Sequence, residues 1–149
     1  MKQIPPAPLF LGLAGLLPFM WGTATLYSSA LAELTNATVG PRFLGPYVLL
    51  NYGRIILAFM AGVLWGFAAR AEGQVAATGY ALSVIPALWA FFFVGAGPIS
   101  AAIYLIAGFV GLLGLDYLFW QQGLTPRWWM SLRVTLTIIV VICLIPVVI

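Results

Sequence analysis

The chain has 149 residues, 64% of them hydrophobic and 6% charged, with a formal net charge of +3. A soluble domain carries about 25% charged residues, so this pool cannot build a water-facing surface and its solvent is lipid. The six cations, Lys2, Arg42, Arg54, Arg70, Arg127 and Arg133, form no basic run. That excludes a nucleic-acid partner and leaves them as topology markers.

The length accommodates about five spans of roughly 20 residues and no soluble domain besides. The expected fold is all-α, a polytopic integral membrane protein built as a bundle of five transmembrane helices in a single domain. Cys143 is the lone cysteine, so an internal disulfide is impossible. The absence of histidine removes the commonest transition-metal ligand and the usual neutral-pH proton shuttle. No metal and no cofactor is expected.

The first span is predicted over 8–27, after the Pro5-Pro6 lead-in, with Pro18 kinking it and freeing backbone carbonyls. A signal peptide starting at Lys2 and cleaved near Ala30-Leu31-Ala32 is the rival reading. Its apolar core is longer than signal peptides use. Residues 28–45 read as the one sizeable loop, and Asn36-Ala37-Thr38 within it matches a glycosylation acceptor, a pattern short enough to arise by chance.

The second span is predicted over 46–69 and closes on the polar turn Arg70-Ala71-Glu72-Gly73-Gln74. Tyr52 to Gly66 within it combines glycines, an arginine at membrane depth and Trp65, which suits the centre of the bundle. The third span covers 76–94, with Pro86 near its middle, and Gly95-Ala96-Gly97-Pro98 forms a tight turn. The fourth covers 98–120. Thr125 then reads as an N-cap and Pro126 as the first position of a fifth span, 126–148. Positive-inside counting places Lys2, Arg70, Arg127 and Arg133 on the inner side, so the N-terminus lies inside and the C-terminus outside. Trp120, Trp128 and Trp129 then form an aromatic belt at the inner boundary.

Small residues repeat at helical spacing in span two, as Ala58, Gly62 and Gly66, and in span four, as Ala107, Gly111 and Gly114 with Gly108 beside them. Such faces let helices approach closely, which predicts that spans two and four touch through them. Arg54 lies beside Tyr52, roughly 12 Å below the outer boundary at 1.5 Å per residue. It either bonds freed carbonyls or Glu33 from the outer loop, or holds an anionic headgroup or substrate. Asp116 is the one carboxylate at membrane depth, and Arg133 stands at similar depth on the next, antiparallel span. An ion pair neutralises both charges. The alternative is a proton or cation site, although a relay needs more titratable groups than this chain has. No nucleophile–base pair or phosphate loop accompanies them. Phe91-Phe92-Phe93 can face a quinone or plain lipid.

Several segments carry a resemblance: Leu17-Pro18-Phe19, then Tyr52-Gly53-Arg54-Ile55-Ile56-Leu57-Ala58-Phe59 with Gly62, Trp65 and Gly66, and Leu82-Ser83-Val84-Ile85-Pro86. Asp116 and the Pro126–Arg133 segment complete it. In these the chain resembles the bacterial and mitochondrial small membrane proteins of unknown function that include transmembrane protein sixty-nine. Arg54 departs from that family's motif, where a small or polar residue usually stands. The resemblance implies a multi-span protein of the bacterial or mitochondrial inner membrane and supplies no activity.

The functional expectation is a non-enzymatic accessory, structural or assembly subunit. Its partners are membrane lipids and a larger inner-membrane complex. The alternative is a small carrier or binding protein for a lipid, quinone or other amphiphile, favoured by helices broken at Pro18 and Pro86.

Overall fold

A computed structural model describes residues 3–95 and 97–149. Lys2, counted above as an inner-side cation, and Ala96 of the Gly95–Pro98 turn lie outside the described residues. The described residues form eight α-helices and no strand. They are α1 (Pro6–Ala14), α2 (Leu17–Tyr27), α3 (Ser29–Thr38), α4 (Tyr47–Ala68), α5 (Gly73–Ser83), α6 (Ile85–Phe93), α7 (Pro98–Gln121) and α8 (Trp129–Val148). Five stretches are long and apolar enough to cross a membrane: Pro6–Tyr27, Tyr47–Ala68, Gly73–Phe93, Pro98–Gln121 and Trp129–Val148. The protein is an integral membrane helix bundle.

Two of the five crossings are broken rather than continuous. Span one stops at Ala14 and restarts at Leu17, and span three stops at Ser83 and restarts at Ile85. In each case proline is the second residue of the restarted helix, Pro18 in α2 and Pro86 in α6. Proline has no N–H to give and its ring collides with the carbonyl four residues earlier, so the ladder fails one turn upstream. At the first break the chain tightens, with Leu16 N–H donating to Leu13 O at 3.0 Å.

Residues 28–45 are not a loop. Ser28 accepts from Leu31 N–H at 3.2 Å and caps α3, whose Ala-Leu-Ala-Glu-Leu core favours helix. A 3-10 turn, Pro41–Phe43, follows it. The last span also begins later than expected. Thr125 caps no helix, its hydroxyl lying 3.4 Å from Pro126 O, and α8 starts at Trp129. Gly123, at φ +73°, ends α7 instead: Gly123 N–H reaches Trp120 O and Leu124 N–H reaches Phe119 O.

The helix α4 is the hub, packed against α2, α5, α6 and α7. Its Leu49, Leu57 and Leu64 are fully buried. Adjacent crossings run antiparallel, whereas α4 and α7 lie parallel. A Cβ added to Gly53 would stand 2.9 Å from Leu105, and one added to Gly108 would stand 2.9 Å from Leu57. These two glycines set the approach of the helices. The expected interface of Ala58, Gly62 and Gly66 against Ala107, Gly111 and Gly114 does not form. All six residues are exposed, and no atom comes within 4 Å of a Cβ built on any of the four glycines. The buried face of α4 follows Leu49, Gly53, Leu57 and Leu64, and the small-residue stripe points away from it.

Candidate functional site

Trp129, Arg133 and Thr137 follow one another at four-residue intervals, so they share a face of α8. The short connection from Gln122 to Trp128 folds that face back against α7, where Asp116 is fully buried. Arg133 Nε donates to Asp116 Oδ2 at 2.7 Å, and Trp129 Nε1 donates to Asp116 Oδ1 at 2.8 Å. Both carboxylate oxygens are therefore engaged, one by a cation and one by an indole. The charges neutralise each other where water cannot.

The pairing leaves something over. Arg133 is 5% exposed and Thr137 is 4% exposed, yet Arg133 Nη2 and Thr137 Oγ1 have no hydrogen-bond partner among the described residues. Buried polar side-chain atoms are usually paired, and an unpaired one costs about 1–3 kcal/mol. Both residues line one cavity of about 510 Å³ bordered by α1, α2, α4, α7 and α8, and open on the side where Leu11, Ile55 and Phe59 are exposed. That volume falls within the range of about 300–1,000 Å³ typical of small-molecule sites. The walls are apolar and aromatic, with Leu16, Phe19, Met60, Phe109 and Val140 among them. Along α8 the lining runs from Trp129 to Val140, roughly 16 Å at 1.5 Å per residue.

A wider groove of about 1050 Å³ lies at the end of the bundle that carries α3, with Pro18, Trp21, Arg42 and Asn51 in its wall. Tyr52 and Ile55 stand in the walls of both spaces. The Tyr52 ring packs edge-on against Phe19 at 5.2 Å, and Phe19 packs in turn on Phe109 at 6.1 Å. This aromatic row crosses the bundle between α4, α2 and α7.

A family described as "Protein of unknown function (DUF3429)" matches residues 4–149. The chain belongs to that family. Transmembrane protein 69 of Xenopus tropicalis is 31% identical to it, over 97% of this chain and 54% of the relative. The chain thus spans about half the length of the curated relative it matches. No solved structure matches it.

In this DUF3429 chain, the residues singled out from the sequence separate into two groups. Asp116, Arg133 and Tyr52 stand at or beside the cavity. Arg54 does not join them. It is half-buried, and neither Glu33 nor a backbone carbonyl among the described residues pairs with it. The three tryptophans also divide. Trp120 is exposed and stacks with Tyr117, whereas Trp129 turns inward to Asp116. Trp128 is half-buried beside it. The inward role of Trp129 and the presence of Thr137 were both missed. The available signal was spacing: each lies four residues from Arg133, so any surface Arg133 faces they face too.

Proposed function

We propose that this protein binds one small amphiphile within the membrane, in the cavity between α1, α2, α4, α7 and α8, and performs no catalysis of its own. One observation carries the reading: Arg133 and Thr137, each with a buried polar atom that lacks a partner among the described residues, line a space whose other walls are apolar apart from Tyr52 and Trp129. Apolar cavities with a few convergent polar groups are the usual form of small-molecule sites. The test is native mass spectrometry of protein extracted gently from its membrane. A small molecule bound one to one is expected, and Ile56→Trp, which fills the cavity wall, should lose it. Protein that carries no small molecule, and takes none up when amphiphiles are added, would remove the proposal.

The membrane is taken to be a bacterial or mitochondrial inner membrane, with the N-terminus inside and the C-terminus outside. Arg70 and Arg127, both exposed beside the α4–α5 and α7–α8 turns, support this orientation, against Arg42 at the α3 end. Arg133 no longer counts, because its charge is consumed inside the bundle.

An accessory subunit packed against a larger membrane complex is the second reading. It is favoured by the outward-facing Ala58, Gly62 and Gly66, where a foreign helix can approach α4 closely. A stoichiometric protein partner in the same native spectra, released by Gly62→Leu, would support it.

A further inference from the structure

Resting on the binding reading above, we infer that the polar end of the amphiphile is an uncharged carbonyl, of the ester or quinone kind, and not a carboxylate or phosphate. Two features of the site lead there. The first is the kind of hydrogen bond on offer. Arg133 Nη2 carries only donors, and the Thr137 hydroxyl can donate as well. The matching ligand atom is an acceptor oxygen.

The second feature is charge. Arg133 is the one charged residue among the described residues that line the cavity. Its positive charge is already balanced by Asp116, held at 2.7 Å. An anionic headgroup at Nη2 would place a second negative charge near that carboxylate with no further cation to offset it. Buried charge without compensation is expensive in a medium of low dielectric constant. A carbonyl oxygen takes the same N–H and adds no charge. The aromatic walls, Phe19, Phe109 and Trp129, accept either a flat ring or an alkyl chain behind it.

Methyl laurate and laurate test this directly, since they share a chain and differ in the charge of the head. Each is offered to protein in nanodiscs at a pH where the carboxylate is fully ionised. Retention is read by native mass spectrometry, with decylubiquinone as the ring-bearing probe. Methyl laurate or decylubiquinone should bind about a hundredfold more tightly than laurate. Which of the two binds better separates an ester from a quinone. Asp116→Asn keeps an acceptor for Trp129 and removes the balancing charge, so it should turn the preference towards laurate. Thr137→Val, nearly unchanged in shape, should weaken methyl laurate about tenfold and is the check if Asp116→Asn does not fold. Wild-type protein that retains laurate as well as or better than both neutral probes overturns the inference and leaves the cavity as a binding site. Wild-type protein that retains none of the three overturns the binding reading itself.

Discussion

Asp116 and Arg133 meet through a single atom pair, Nε to Oδ2 at 2.7 Å, while the indole of Trp129 holds the other carboxylate oxygen. Arginine commonly grips a carboxylate with two parallel N–H groups. Here the second prong is left over, and Nη2 remains buried without a partner. The result is an ion pair with a spare donor.

Removing one member of the pair should be costly. Asp116→Leu or Arg133→Met alone strands a charge inside the bundle, with an expected loss of about 3–5 kcal/mol. The double variant should recover much of that loss, since what remains is apolar. A double-mutant cycle on thermal stability in nanodiscs measures the coupling. A coupling energy near zero would mean that the charges act independently.

Trp129→Phe keeps an aromatic ring and loses the N–H to Oδ1. Hydrogen bonds to charged groups are worth about 1.5–3 kcal/mol, and the melting temperature should fall accordingly. Trp128→Phe, which breaks no side-chain hydrogen bond among the described residues, should stay within about 0.5 kcal/mol of wild type. Equal shifts in the two variants would deny Trp129 its special role.

The glycines divide into two kinds. A Cβ at Gly79 would lie 2.9 Å from Ala68 Cβ, a rigid neighbour, so Gly79→Ala should cost about 1–3 kcal/mol. Nothing lies within 4 Å of a Cβ at Gly62. Gly62→Ala should therefore gain up to about 1 kcal/mol from helix propensity. Thermal melts of the two variants in one detergent decide the matter, and the opposite order would mean that the α4 stripe is buried against something.

Topology is checked by reporters. One fused after Ile149 should report outside, and one placed in the Arg70–Gln74 turn should report inside. The same side for both would be incompatible with five crossings.

What the sequence made legible was what lipid enforces. Long apolar runs and turn residues located five crossings, because every buried backbone group must find its partner within a helix. Asp116 and Arg133 stood out because charge at that depth needs compensation. The facing of each helix was not legible. In water the apolar stripe marks the buried side, but here lipid and bundle interior are equally apolar. Ala58, Gly62 and Gly66 therefore looked like an interface, and Gly53 and Gly108 supplied the real one. Helix α3 was misread for another reason. Asn36, Thr38 and Glu33 suggested a loop by polarity, while the Ser28 cap and the local propensity favoured a helix.

The order of synthesis gives the Asp116–Arg133 pair a temporal side. The carboxylate emerges from the ribosome 17 residues before the arginine that balances it. At about 5–20 residues per second, that leaves a gap of roughly one to three seconds. During this interval α7 presents a negative charge to the insertion machinery with no counter-charge yet made. The helix α7 is thus poorly suited to enter lipid alone, and it is expected to wait beside the translocation channel until α8 arrives. The α7 and α8 crossings then partition into the bilayer as one hairpin.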